Sequence, residues 1–248
     1  MNRVDLSVMT PRLFPNMGQR CRKPESMDGQ TLDRQRHVQA LQGLARINHW
    51  SGSVGIVWSS IRAFVHERGA RALRVLDIAT GAGDVPIGLW QAAHRTGLLL
   101  EIDGCDRSLT ALEYARLCAK RVKADIRFFE LDALTDEIPS GYDIIISSLF
   151  LHHLDDEEAV CLLRNMGQAA GGMVLVNDLV RSVRGLMLAY VGTRLLSTSD
   201  VVHADGPRSA RAAYTIDEVC RLSRRAGLDS AAVFPRWPCR FLLVWRRP

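Results

Sequence analysis

The 248-residue chain is 47% hydrophobic and 24% charged, with a net charge of +5. Such a length suits one α/β domain with an appended segment and is enough to bury a full core. No apolar run approaches the ~18 residues of a bilayer span, and the N-terminus lacks the basic-then-apolar plan of a signal peptide, so a cytoplasmic protein without stable membrane insertion is expected. The arginines, among them Arg181, Arg194, Arg224 and Arg240, are dispersed among apolar residues. Scattered basicity of this kind reads as a solvated surface, and no nucleic acid is expected. The six cysteines have no C-x-x-C spacing, which argues against a zinc or redox motif and suits a reducing compartment. No metal is expected.

Residues 1–30, with Pro11, Pro15 and Pro24, read as an irregular arm. From 31 to 70 the pattern is helical. Val38, Leu41, Leu44 and Ile47 recur at helix spacing, Asn48 to Gly55 breaks the pattern, and Ile56 to Val65 resumes it. These helices are expected to cap a domain filling 71–248. Strands are expected at about 73–79, 98–105, 125–131, 142–148 and 173–177, with helices at about 84–96, 108–122 and 155–168. One face of the second helix carries Leu109, Leu112, Ala115 and Cys118. The run Ile144-Ile145-Ile146 suits a strand buried on both sides. This alternation predicts an α/β, doubly wound, mostly parallel sheet.

An insertion over about 178–213 interrupts the alternation. It holds an apolar and basic segment, Leu186 to Leu196, and then a polar loop with Asp200, His203, Asp205 and Pro207. Thr215-x-x-Glu218 is a capping box, and the helix it starts ends at Gly227. Strands at 231–234 and 240–245, joined by a Pro235-to-Pro238 turn, close the chain as an antiparallel hairpin.

Four motifs carry chemistry. Val75 to Pro86 reads as strand, glycine turn and helix start, with Gly81 and Gly83 free to take positive φ and admit a ligand close to the backbone. Asp106 ends the second strand 25 residues after Gly81, where a carboxylate binds ribose hydroxyls or, alternatively, caps the next helix. Asp132, followed by Ala133, ends the third strand beside the same crevice. It meets an adenine amino group or is a plain turn residue. Ser147 to Leu154 holds the pair His152-His153 at the same edge. A histidine there acts as a base toward a phenol or activated ring carbon, or merely packs and caps with Asp155 and Asp156.

At these residues the chain resembles the class I S-adenosylmethionine-dependent methyltransferases. Within them it is similar to the small-molecule enzymes of the ubiquinone and menaquinone biosynthesis type. Those enzymes show L-D-x-A-x-G-T-G-D, a G-x-D-x-S after the second strand and a D-A pair after the third. Here these stand as Leu76 to Asp84, Gly104 to Ser108, and Asp132-Ala133, and the resemblance covers about 70–180. It implies a seven-stranded Rossmann-like methyltransferase fold with an N-terminal helical cap and S-adenosylmethionine as cofactor. Asp77, Ala79, Gly81, Gly83, Asp106, Arg107, Asp132, Ala133 and Ser148 would bind it, and His152 and His153 would be catalytic. A nicotinamide enzyme would need a third glycine where Pro86 stands.

Substrate contacts are expected from Trp50, Phe150, Tyr190 and His203, with Trp58 and Tyr214 as further candidates, and from an apolar roof over 186–196. The acceptor expected is a small aromatic or lipid-like molecule methylated on carbon or oxygen. The other readings are an RNA or protein methyltransferase and a non-catalytic cofactor-binding module. A monomer or homodimer is expected, with peripheral lipid contact through the arginines left open.

Overall fold

A computed structural model describes residues 17–28, 32–69 and 72–248. Of the irregular arm expected over 1–30, residues 1–16 and 29–30 lie outside the described residues. The strands are β1 (Ala72–Ile78), β2 (Leu99–Asp106), β3 (Ile126–Glu130), β4 (Tyr142–Ser148), β5 (Ala170–Leu179), β6 (Ala232–Arg236) and β7 (Arg240–Arg246). They form one sheet in the order β3-β2-β1-β4-β5-β7-β6. The first five strands run parallel, and β7 lies antiparallel between β5 and β6. The doubly wound sheet and the terminal hairpin are therefore as the sequence pattern predicts.

Both faces of the sheet are covered. Leu76, Ile145 and Val174 face α5 (Asp156–Ala169) and α8 (Ile216–Arg225), while Val75, Ile144, Ile146 and Leu175 face α2 (Ser53–Arg68) and α3 (Asp84–Thr96). That two-sided burial is why β4 reads as continuous isoleucine rather than as an alternating strand. Two capping boxes start helices where the sequence places them, Asp155 with Glu158 on α5 and Thr215 with Glu218 on α8. On α4 (Leu109–Val122) the buried face is Ala111, Leu112, Ala115 and Ala119, whereas Leu109 is exposed and Cys118 only half-buried. Before the sheet, α1 (Arg34–Trp50) and α2 form the expected cap. No helix among the described residues is long and apolar enough to cross a membrane.

Three segments differ from the pattern reading. The expected polar loop at 197–213 is a helix, α7 (Asp200–Ala212), packed beside α6 (Val183–Leu196). Ser199 caps α7, and Val201 and Val202 bury against Ala40 of α1. Packing of that face outweighs the internal Pro207. β5 begins at Ala170, so Gly171-Gly172 lie inside the strand rather than before it. A Cβ on Gly172 would stand 2.5 Å from the Phe64 ring of α2, so glycine there admits the helix. In the hairpin, β6 continues through Pro235 and Arg236, and the turn is Trp237 to Cys239. Proline is tolerated because β6 is an edge strand.

Gly83 is the tightest position in the turn that follows β1. It caps α3 at φ +72°, and an added Cβ would stand 3.0 Å from both Ala115 Cβ and Phe128 Cζ. Gly83→Ala should cost about 2–4 kcal/mol, the sum of left-handed strain and overpacking. Thermal unfolding should then show a melting temperature lower by about 5–10 °C.

Candidate active site

The carboxyl ends of β1, β2, β4 and β5 meet at one edge of the sheet. After β1 the chain turns sharply, with Ala79, Gly81 and Gly83 all at positive φ. Asp106, at the end of β2, ties this turn down. One carboxylate oxygen accepts the Gly81 N–H at 2.8 Å and the other accepts the Ser108 N–H at 2.8 Å. Burial pushes the Asp106 carboxyl upward, against those two hydrogen bonds. Asp77 is buried behind the turn. Its Oδ2 accepts the Thr80 hydroxyl at 2.7 Å, while its Oδ1 is buried with no hydrogen-bond partner. Burial pushes this carboxyl up to about 8.

A cavity of about 250 Å³ opens from the turn. Asp77, Ala79 and Gly81 line one end, Ser148 and His152 the wall beyond β4, and Leu188 with its α6 neighbours the roof. The roof is apolar, as the 186–196 segment suggests.

After β4 the backbone reverses at Leu149, which takes φ +58° and donates its N–H to the Asn177 carbonyl. A short 3₁₀ turn, Leu151–His153, then carries His152 back over the end of β5. There, His152 Nδ1 lies 2.6 Å from Asp178 Oδ1, and the His152 backbone N–H donates to Asp178 Oδ2 at 3.1 Å. Both residues are buried, at 4% and 1% exposure. Burial alone would raise the Asp178 carboxyl, but His152 and the backbone donors outweigh it and hold it low. An ionised Asp178 can only accept, so Nδ1 carries the proton and Nε2 is the basic nitrogen.

Two arginines complete the site. Arg240 enters at the crevice because β7 is antiparallel, so its first residue pairs with Leu179 at the end of β5. The guanidinium is buried and donates to Ser51, Ser53 and Asn48 at the α1–α2 junction. Desolvation pushes it down to about 10, opposed by the charges of Asp178 and Asp84. Arg20 straps the N-terminal arm over the histidine turn. It donates to the carbonyls of His152, Leu154 and Ala212 and to the Tyr214 hydroxyl.

Of the residues singled out in sequence, Asp77, Ala79, Gly81, Ser148, His152 and His153 line the cavity. Gly83 caps α3 just behind it. Asp106 braces the same turn through the Gly81 N–H. Arg107 is exposed beside it. Asp132 accepts the Leu134 N–H in a local turn, and Ala133 is buried next to it.

The expected substrate residues fall elsewhere. Trp50 ends α1 at 70% exposure, and Tyr190 is on the outer face of α6 under Arg194. Inward-facing α6 positions are instead Leu188, Ala189, Gly192 and Thr193. The Nε2 of His203 lies 2.7 Å from the Ser197 carbonyl, because its segment is a helix and not a loop at the mouth. Phe150 stacks on His153 rather than lining the cavity. Trp58 packs in the core, and Tyr214 is buried with its hydroxyl donating to the Leu154 carbonyl. Asp178, Arg240 and Glu25 escape sequence reading. Asp178 directly follows the expected fifth strand, next to Asn177, which is the one positional signal it offers.

Residues 75–170 match the family model described as a methyltransferase domain. The ubiquinone biosynthesis O-methyltransferase of Leptothrix cholodnii is 27% identical over 120 residues, 48% of this chain and 50% of that protein. The 3-hydroxy-5-methyl-1-naphthoate 3-O-methyltransferase of Streptomyces sahachiroi is 28% identical over 145 residues, 57% of this chain and 40% of that protein. The chain thus spans about half the length of these curated relatives. Among solved structures, the S-adenosylmethionine-dependent methyltransferase SibL in its apo form matches with a TM-score of 0.60 at 22% identity, covering 80% of this chain and 56% of that one. The magnesium protoporphyrin IX methyltransferase of Synechocystis with bound S-adenosylhomocysteine matches at 0.54 and 20% identity, covering 77% and 82%. These structural matches share the fold. The central region of the chain is thus similar to methyltransferase domains, and its sheet has the fold of S-adenosylmethionine-dependent methyltransferases of known structure.

The buried Asp77 makes stability depend on pH. A carboxyl that holds its proton more tightly when folded contributes fully below its unfolded value near 3.8, and that contribution is lost as pH rises through about 8. The melting temperature of the unliganded protein should therefore fall between about pH 5 and 8.5. Asp77→Asn, which cannot ionise, should melt higher than the parent at the alkaline end and show a flatter slope. Scanning calorimetry across that range checks this, and an unchanged slope would assign the effect to another group.

Proposed function

We propose that the chain is an S-adenosylmethionine-dependent O-methyltransferase acting on a small aromatic acceptor, such as a phenol, a quinol precursor or a polyketide-derived ring. The observation that carries this reading is the His152–Asp178 pair, buried on the wall of the cavity that begins at the glycine turn. The residues at the turn fit the cofactor. The unpartnered Asp77 Oδ1 suits an ammonium group, and Gly81 leaves open space where a side chain would stand. Each Asp106 oxygen spends one lone pair on a backbone N–H and keeps another for a ribose hydroxyl. Asp132 and Ala133, at the end of the neighbouring strand, suit the adenine.

The cofactor, when bound, supplies a methyl group on a sulfonium sulfur. The chain's own residues do the rest. Asp178 fixes the His152 ring with its proton on Nδ1. Nε2 is placed to take the hydroxyl proton of the acceptor, which leaves the acceptor oxygen its electron pair for the methyl group that the cofactor would supply. The α6 roof excludes water and holds the acceptor in line, which is where most of the rate comes from in such a displacement. Oxygen is favoured over carbon as the acceptor atom because the curated relatives are named as O-methyltransferases.

Calorimetric titration with S-adenosylhomocysteine tests the first step, and no binding at high micromolar ligand would sink the proposal. Asp106→Ala should weaken that binding by at least ~1 kcal/mol, about fivefold, as losing hydrogen bonds to a charged group does. In turnover assays over a panel of phenols and hydroxynaphthoates, His152→Gln should lower kcat by roughly 10²–10⁴ while leaving cofactor affinity near its parent value. An unchanged kcat would remove the base from the mechanism.

A further inference from the structure

We propose that Glu25, His152 and His153 form a binding site for one divalent first-row transition cation of the zinc class. The three side chains come from two distant stretches. The arm is held over the histidine turn by Arg20, and by Arg22, which donates to the His153 carbonyl and to Glu158. That clamp brings the Glu25 carboxylate between the two rings. Glu25 Oε1 lies 3.8 Å from His152 Nε2, and Oε2 lies 3.9 Å from His153 Nε2. Both distances are too long for hydrogen bonds. One ligand atom from each residue lies within 4.8 Å of the others, so all three face a common point.

The surroundings are those of a ligand set. His152 gives its other ring nitrogen to Asp178 at 2.6 Å, the carboxylate–histidine arrangement that orients a metal-binding imidazole. Ser209 Oγ donates to Glu25 Oε1 at 2.5 Å, which fixes the carboxylate in turn. Zinc–ligand bonds of ~2.0–2.2 Å require the ligand atoms to draw in by roughly an ångström. Of the two histidines, His153 is the more exposed, at 21% against 4% for His152. Two imidazoles and one carboxylate suit zinc, cobalt or iron and disfavour magnesium, which prefers oxygen. Three protein ligands leave a coordination position open, and all three line the cavity, so that position faces the acceptor space. A cation on His152 Nε2 occupies the lone pair that the proposed base needs. Metal loading and base catalysis are therefore alternative states of His152.

This site does not rest on the methyltransferase reading, and its test reads binding rather than turnover. The full chain, freed of metal with a chelator, is titrated with ZnCl₂ and separately with MgCl₂ by calorimetry. One Zn²⁺ per chain is expected, with no saturable Mg²⁺ binding. Glu25→Gln and His153→Gln should each weaken Zn²⁺ at least ~10-fold, with unchanged far-ultraviolet circular dichroism. CoCl₂ should give visible d–d bands without a thiolate charge-transfer band, which separates this site from the six cysteines. The proposal is overturned by absent Zn²⁺ binding, by affinity unchanged in whichever of the two variants folds, or by a thiolate band in the cobalt spectrum.

Discussion

A single buried guanidinium holds the crevice to its cap. Arg240 is buried on β7 and reaches three side chains at the α1–α2 junction, while the charges of Asp178 and Asp84 stand nearby. Taking a cation out of water costs several kcal/mol unless hydrogen bonds and opposite charge offset it. Those partners exist only when β7 lies beside β5 and the cap is seated. The hairpin, the cap and the crevice are therefore one cooperative unit, although they are far apart in the chain.

The same edge of the sheet gathers charge that the interior would otherwise reject. Asp77 and Asp106 are driven toward their neutral forms by burial, whereas Asp178 is held ionised by His152 and backbone donors. Carboxyls at the same edge of the sheet thus have opposite tendencies. One set is poised to gain from an incoming cationic or hydrogen-bonding ligand. The other is already committed to orienting an imidazole. Opposed shifts of this kind at one sheet edge are what the proposed chemistry would use.

Much of the fold was legible because its signals are local. Strand β4 advertises two-sided burial through three isoleucines, and the helix starts at Asp155 and Thr215 carry their own capping partners. The glycine turn and Asp106 were legible for the same reason, since strand ends and turns follow short-range rules. Helix α7 was not. Its polar composition and Pro207 speak against a helix, and only burial of Val201 and Val202 against α1 decides otherwise. Trp50 and Tyr190 misled for a related reason. An amphipathic pattern gives the period of a helix but not which face meets the cavity.

The sequence by itself determined the parallel sheet, the glycine turn beside Asp106 and the histidine pair after the fourth strand. Each of these is written in periodicity or spacing within one unit of the chain. Only the tertiary structure decided which partners those residues meet. Asp178 reaches His152 because β5 extends past its expected end, Arg240 arrives because β7 runs antiparallel, and Glu25 arrives because two arginines strap the arm across the turn. These are contacts between residues 26 to 192 positions apart, set by how elements pack, and no local spacing encodes them.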